Sequence, residues 1–123
     1  MSRDFRKLRV FHLADKLVLS VYEVTRTFPR EERYGLQSQL RRASVSVPCN
    51  IVEGAARTTN KDYGRFLRIA CGSATEARYL LSVARRLDYL TKSVDLAIER
   101  QYDELVRGLE VLSQRVEATP DDG

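Results

Sequence analysis

One histidine, two cysteines and a scatter of carboxylates are the residues of this 123-residue chain whose types could carry chemistry. His12 stands alone near the start of the first helical segment, so no His-pair metal site can form and a Cys/His catalytic pairing is not expected. Cys49 and Cys71 lack the CxxC spacing of a metal site and the density of a secreted disulfide scaffold; they read as reduced, small packing residues. The glycines at 35, 54, 64, 72 and 108 are dispersed through helical patterns instead of gathering in a phosphate-cradling loop, so nucleotide hydrolysis is unsupported. Glu53 in "NIVEG" and Glu76 in "GSATEA" sit among small or apolar neighbours and could transfer protons if buried. One carboxylate per helix without an ExxH motif makes neither a metal site nor an acid–base pair. Neither enzyme nor cofactor is expected.

Two other groupings carry more. On a helical wheel Gln39, Arg42, Ser46, Glu53 and Arg57 share one flank of the second helical segment, with Asn50 at its edge, and Glu53 and Arg57 are spaced i, i+4. Glu76 falls on the corresponding flank of the third, which points to a Glu/Arg hydrogen-bonded network between helices that fixes register. On the outer face of the third segment Lys61, Arg65, Arg68 and Arg86 project from the core with Tyr79 among them. This positive ridge with one aromatic is the expected nucleic-acid surface.

The elements that position these residues are legible from apolar spacing. Val10, Ala14, Leu17, Val21, Val24 and Phe28 alternate as one helical face, which Pro29 is expected to stop. Leu36, Leu40, Ala43, Val47, Ile51 and Gly54 give a second helix, expected to kink at Pro48 because that residue removes a backbone bond and crowds the carbonyl of Ser44. The hydroxyls of Ser44 and Ser46 are expected to serve the freed backbone groups. Thr58, Thr59 and Asn60 are capping candidates for a third helix running through Tyr63, Phe66, Ala70, Ser73, Ala77, Leu80, Ala84 and Leu87; Val94, Ile98, Tyr102, Leu105, Leu109, Leu112 and Val116 form a fourth. The prediction is an all-α, antiparallel up-down-up-down four-helix bundle over residues 1–118, with a frayed tail at 119–123. The first helix is apolar over about half its circumference, with Leu19 nearly opposite the core stripe, which predicts an oligomer interface.

At 43% hydrophobic and 31% charged residues the chain is too apolar for a disordered one. No apolar run reaches the roughly 18 residues that cross a bilayer, and "MSRDFRKLRV" is charged where a signal peptide is apolar, so a cytoplasmic protein without membrane attachment is expected. Charge is uneven: residues 1–87 hold 17 Lys/Arg against 8 Asp/Glu, and residues 88–123 hold 4 against 9. A polyanion site should therefore lie on folded elements and not on the acidic C-terminal segment.

The stretch "YGLQSQLRRASVSVPCNIVEG" followed by "DYGRFLRIACGSATEA" resembles the four-helix bundle family of 23S rRNA intervening-sequence proteins, with the YGL, QLRRA, SVP, NIVEG, RFL and GSxxE elements in order between about Leu8 and Leu90. Phe11 stands where the family often has Trp, Cys49 where Ser is usual, and Asp88 where Gly often ends the third helix. Asp tolerates the left-handed conformation that such a position needs. The resemblance implies a left-handed bundle and a ring-shaped homopentamer. It also links the chain to accessory proteins of diversity-generating retroelements, similar pentamers that bind nucleic acid and a reverse transcriptase. Arg41, Arg42, Asn50, Glu53, Arg57 and Glu76 match its motifs, whether for fold, ring or ligand. Together these readings give a non-enzymatic oligomeric bundle presenting basic surface to RNA or another nucleic acid; the alternative is a homo-oligomeric scaffold that recruits a protein partner without nucleic acid.

Overall fold

The structure, a computed structural model, describes residues 3–121, which contain helix and turn and no strand. Four helices follow in order: α1 (Arg9–Thr25), α2 (Leu36–Ala55), α3 (Asn60–Arg86) and α4 (Lys92–Ala118), with single 3-10 turns at Phe5–Lys7 and Arg30–Glu32. Their apolar stripes meet in one core whose fully buried side chains include Leu17, Leu40, Ile51, Leu67, Leu81, Tyr102, Leu105 and Leu109. Contacts between α2 and α3 run in opposite order along the two helices: Ser46 meets Ser73 midway, while Gly54 lies against Tyr63 and Phe66 near one end. The α3–α4 contacts do likewise, from Arg85 with Asp95 through Arg78 with Asp103 to Arg68 with Glu117. Residues 122–123 of the C-terminal tail lie outside the described residues; within it, Thr119 and Asp121 accept hydrogen bonds from Asn60 at 2.9 and 2.7 Å.

α1 ends at Thr25, three residues short of Phe28, because its last carbonyls find other partners. The buried Thr25 hydroxyl donates to the Val21 carbonyl at 2.8 Å, and Gln37 of α2 donates its side-chain amide to the Thr25 carbonyl at 3.1 Å. With those acceptors occupied the chain turns, and Phe28 reaches the core from outside the helix, its ring 5.4 Å from that of Tyr89. Pro29 then follows a helix that has already stopped.

α2 continues without interruption through the buried Pro48. The neighbouring hydroxyls are used differently from the expectation. Ser44 donates to the Arg41 carbonyl at 2.8 Å, and Ser46 pairs with Ser73 of α3 at 2.8 Å while accepting from Asn50 at 3.0 Å. At its start Glu32 supplies the missing cap: one carboxylate oxygen accepts from the Leu36 amide at 3.2 Å and the other from the Tyr89 hydroxyl at 3.0 Å. That bond pushes the Tyr89 hydroxyl above the ordinary phenol range, with desolvation adding to it.

α3 begins on Thr59, whose hydroxyl accepts from the Asp62 amide at 3.2 Å. It ends in a Schellman motif: Asp88 has φ 63°, its amide donates to the Arg85 carbonyl and that of Tyr89 to the Ala84 carbonyl, both at 2.9 Å. The left-handed turn thus forms with Asp where Gly would be unstrained. Thr91 caps α4, accepting from the Val94 amide at 3.3 Å.

Backbone spacing generates paired predictions. A Cβ on Gly54 would come within 2.8 Å of Phe66 Cβ on α3, whereas one on Gly72, in the exposed middle of α3, would meet nothing within 4 Å. Gly54→Ala should lower stability by about 1–3 kcal/mol through overpacking, and Gly72→Ala should raise it by about 1 kcal/mol through helix propensity. Asp88→Gly should likewise stabilise by about 0.5–1 kcal/mol by relieving the left-handed backbone. Thermal and denaturant melts of the three variants measure these shifts, and a stabilised Gly54→Ala would refute the close α2–α3 approach.

Candidate nucleic-acid interface

His12 is exposed and its Nε2 lies 2.6 Å from the Arg6 carbonyl; Glu53 and Glu76 are exposed and make no ion pair among the described residues. Burial pushes the Cys71 thiol above its ordinary range, and its sulfur contacts the Val106 carbonyl at 3.8 Å, as suits a packing residue. No three His, Cys, Asp or Glu side chains among the described residues are placed to hold a metal ion.

The ridge expected on α3 is only partly free. Lys61 is exposed and unpaired among the described residues, Arg65 stacks on Phe66 at 4.7 Å with Asp62 at 3.7 Å, and Arg86 lies over Tyr79 at 5.9 Å. Arg68, by contrast, makes a bidentate pair with Glu117 of α4, Nε–Oε1 2.5 Å and Nη2–Oε2 2.7 Å, and this holds the Glu117 carboxyl below the usual range. Gly64 makes room for it, because the Glu117 side chain lies across α3 where a Cβ would stand. The pairing recurs along the seam. Arg78 pairs with Asp103, the Arg85 Nε is 3.0 Å from Oδ2 of the buried Asp95, and Arg9 of α1 is 2.6 Å from Glu104. The acidic α4 therefore commits four of its six carboxylates to arginines of α1 and α3.

The six motif residues separate into different roles. Arg41 joins helices: its Nε donates to Thr25 Oγ1 at 2.8 Å and its guanidinium lies 4.5 Å over the Tyr22 ring on α1. Asn50 donates to the Ser46 carbonyl at 2.8 Å, beside the Ser46–Ser73 link to α3. Arg57 donates to the Glu53 carbonyl at 3.2 Å, stacks on Phe66 at 5.2 Å and accepts from Arg3 on its own carbonyl at 2.8 Å, so it does not pair with the Glu53 carboxylate. Arg42 and Glu76 face a common groove of about 580 Å³ together with Gln39, Ser46 and Ser73. The α2–α3 link is thus made by the two serines, with the Asn50 amide supporting Ser46 from within α2, and Arg42, Glu53, Arg57 and Glu76 stay at the surface.

A second groove, of about 520 Å³, adjoins the first through Tyr34, Ser38 and Arg42, and it was not anticipated. Arg30, Arg33, Arg41 and Arg42 line it with Tyr22 and Tyr34, and no carboxylate does. Tyr34 is 88% exposed, with the Arg33 guanidinium 5.7 Å from its ring. The nearby Glu32 is turned away, onto Leu36 and Tyr89. The signal available in sequence was the run "RYGLQSQLRR", but bringing its arginines beside Arg30 and Tyr22 depends on the turn after α1. Elsewhere Lys16, Leu19, Ser20, Glu23, Val24 and Ile98 surround a shallow apolar groove on α1, where Leu19 is 69% exposed. No helix among the described residues is long and apolar enough to cross a membrane.

A family model described as 23S rRNA-intervening sequence protein matches residues 6–111. The fold is similar to the crystal structure of a protein of unknown function from the S23 ribosomal protein family of Bacteroides thetaiotaomicron. The two are 20% identical over 85% of this chain and 95% of that one, with a TM-score of 0.78. None of the curated proteins matches this chain.

The Arg68–Glu117 pair makes the charge of the ridge adjustable. Glu117→Gln should free a guanidinium and shift elution from a heparin column to higher salt, while Arg68→Gln, which exposes a carboxylate in its place, should shift it lower. Unchanged elution of both variants would exclude this end of α3 from the polyanion surface.

Proposed function

This chain belongs to the 23S rRNA-intervening sequence protein family, and from that premise we propose that it is a binding protein, not an enzyme, that presents basic surface to RNA or another nucleic acid. The observation that supports this reading is the segregation of charge. Asp95, Asp103, Glu104 and Glu117 of α4 are engaged by arginines. Arg30, Arg33, Arg42 and Lys61 make no ion pair among the described residues. A net charge of +4 is thereby concentrated as uncommitted guanidinium and ammonium groups away from α4.

Homo-oligomerisation through the α1 face extends the proposal, because Leu19 and its neighbours form apolar surface that a lone bundle leaves wet. A ring would repeat each phosphate contact by symmetry. The same surface supports the second reading, a homo-oligomeric scaffold that recruits a protein partner and does not touch nucleic acid.

Two measurements decide between them. Light scattering should give a multiple of the chain mass, fivefold for the ring that the resemblance implies, and Leu19→Asp should reduce it; a monomeric wild type removes the assembly from both readings. RNA retention should weaken with salt at a log–log slope of about −0.7 to −0.9 per phosphate contact, and Lys61→Gln with Arg65→Gln should flatten it for all sequences alike. No retention of RNA or DNA by the wild type at about 50 mM salt would leave the scaffold as the better account.

A further inference from the structure

The joined grooves at the start of α2 carry a ligand class that the charge argument alone does not specify. Resting on the nucleic-acid reading above, we propose that they bind an unpaired nucleic-acid strand, its bases stacked on Tyr34 and its phosphates held by Arg30, Arg33 and Arg42.

Three features point there. The first is Tyr34 itself: a ring that is 88% exposed has no packing role in the bundle, and its one neighbour of note is the Arg33 guanidinium. A flat aromatic face backed by a cation is a stacking platform for a base, and a base inside a duplex cannot reach it. The second is preorganisation. Arg41, fixed by Thr25 and stacked on Tyr22, supplies a held positive charge at the rear of the groove, while Arg30, Arg33 and Arg42 stay free to follow a backbone. Glu32, beside Arg33 in sequence, is occupied by Leu36 and Tyr89, and Glu31 does not line the groove.

The third is the change of chemistry along the path. The 520 Å³ groove is lined by arginine and tyrosine; the 580 Å³ groove, sharing Tyr34, Ser38 and Arg42, adds Gln39, Ser46, Ser73 and Glu76. Cation and aromatic therefore give way to short hydroxyl and amide groups, which suit base edges better than phosphates. Glu76, the lone carboxylate lining either groove, can accept from an exocyclic amino group and repels a carbonyl edge. Cytosine and adenine should be favoured over uracil or thymine at that position.

Fluorescence anisotropy at low salt tests this with a labelled single-stranded oligonucleotide of mixed sequence, the same sequence as a blunt duplex, and oligo(dC) against oligo(dT). Wild type should bind the single strand more tightly than the duplex. Tyr34→Ala should weaken the single strand by about 5- to 100-fold while leaving the duplex and the melting temperature unchanged, and Tyr34→Phe should restore it. Glu76→Gln should narrow the preference for oligo(dC) over oligo(dT). If wild type binds nucleic acid but Tyr34→Ala binds the single strand equally well, or the duplex is preferred, the groove is not the site and the broader reading stands. If wild type binds neither form, both fail.

Discussion

Everything in this bundle depends on α3 being packed from two sides. Its contacts with α2 and with α4 are the most extensive in the molecule, and they are close because Ala70, Ala74, Ala77 and Ala84, all fully buried, keep its flanks thin. Gly54 on α2 brings α2 and α3 nearer still, and Gly64 on α3 makes room for the Glu117 side chain of α4. A helix packed on two sides turns its charges to the remaining outer face and its edges. Six of its residues are Lys or Arg and two are Asp or Glu, so the compensating acids have to come from a neighbour. They come from α4.

That geometric demand explains the disposition of charge better than counting does. Salt bridges on a surface add little to stability, but a row of them between two helices decides where positive potential remains. Arg68, Arg78 and Arg85 face α4 and are met there. Arg30, Arg33 and Arg42, around the turn after α1, are met by no carboxylate among the described residues, and Glu32, beside Arg33 in sequence, serves as a cap. The basic surface thus follows from which helix α4 touches.

Legibility in the sequence follows the same division. The helices and their buried faces could be read because periodicity is local: Leu17, Leu40, Ile51, Ala70 and Leu105 lie where the spacing places them, whereas on α3 the spacing named Phe66 and the structure buries its neighbour Leu67 more deeply. Asp88 could be read too, as a left-handed residue at a helix end. The end of α1 could not, since it is set by Gln37 reaching back across twelve residues to the Thr25 carbonyl. Nor could the pairing of Arg68, which depends on the register of a helix 49 positions away. The Glu53–Arg57 pair was a fair inference from i, i+4 spacing, but an arginine with an aromatic face and a backbone carbonyl in reach takes those instead. Arg42 was named, while Tyr34 and its groove were not, because wheel geometry describes one helix and a groove needs several.

The Glu32 carboxylate has a consequence for how the molecule opens. It bonds the first amide of α2 and the hydroxyl of Tyr89, whose ring also packs on Phe28, so the turn carrying Arg30, Arg33 and Tyr34 is fastened to the α3–α4 loop. Two segments far apart in sequence are thereby expected to open as one cooperative unit of local unfolding. A change in the loop after α3 would alter the breathing rate of a surface it never touches, and the chain could retune that surface without altering any residue that lines it.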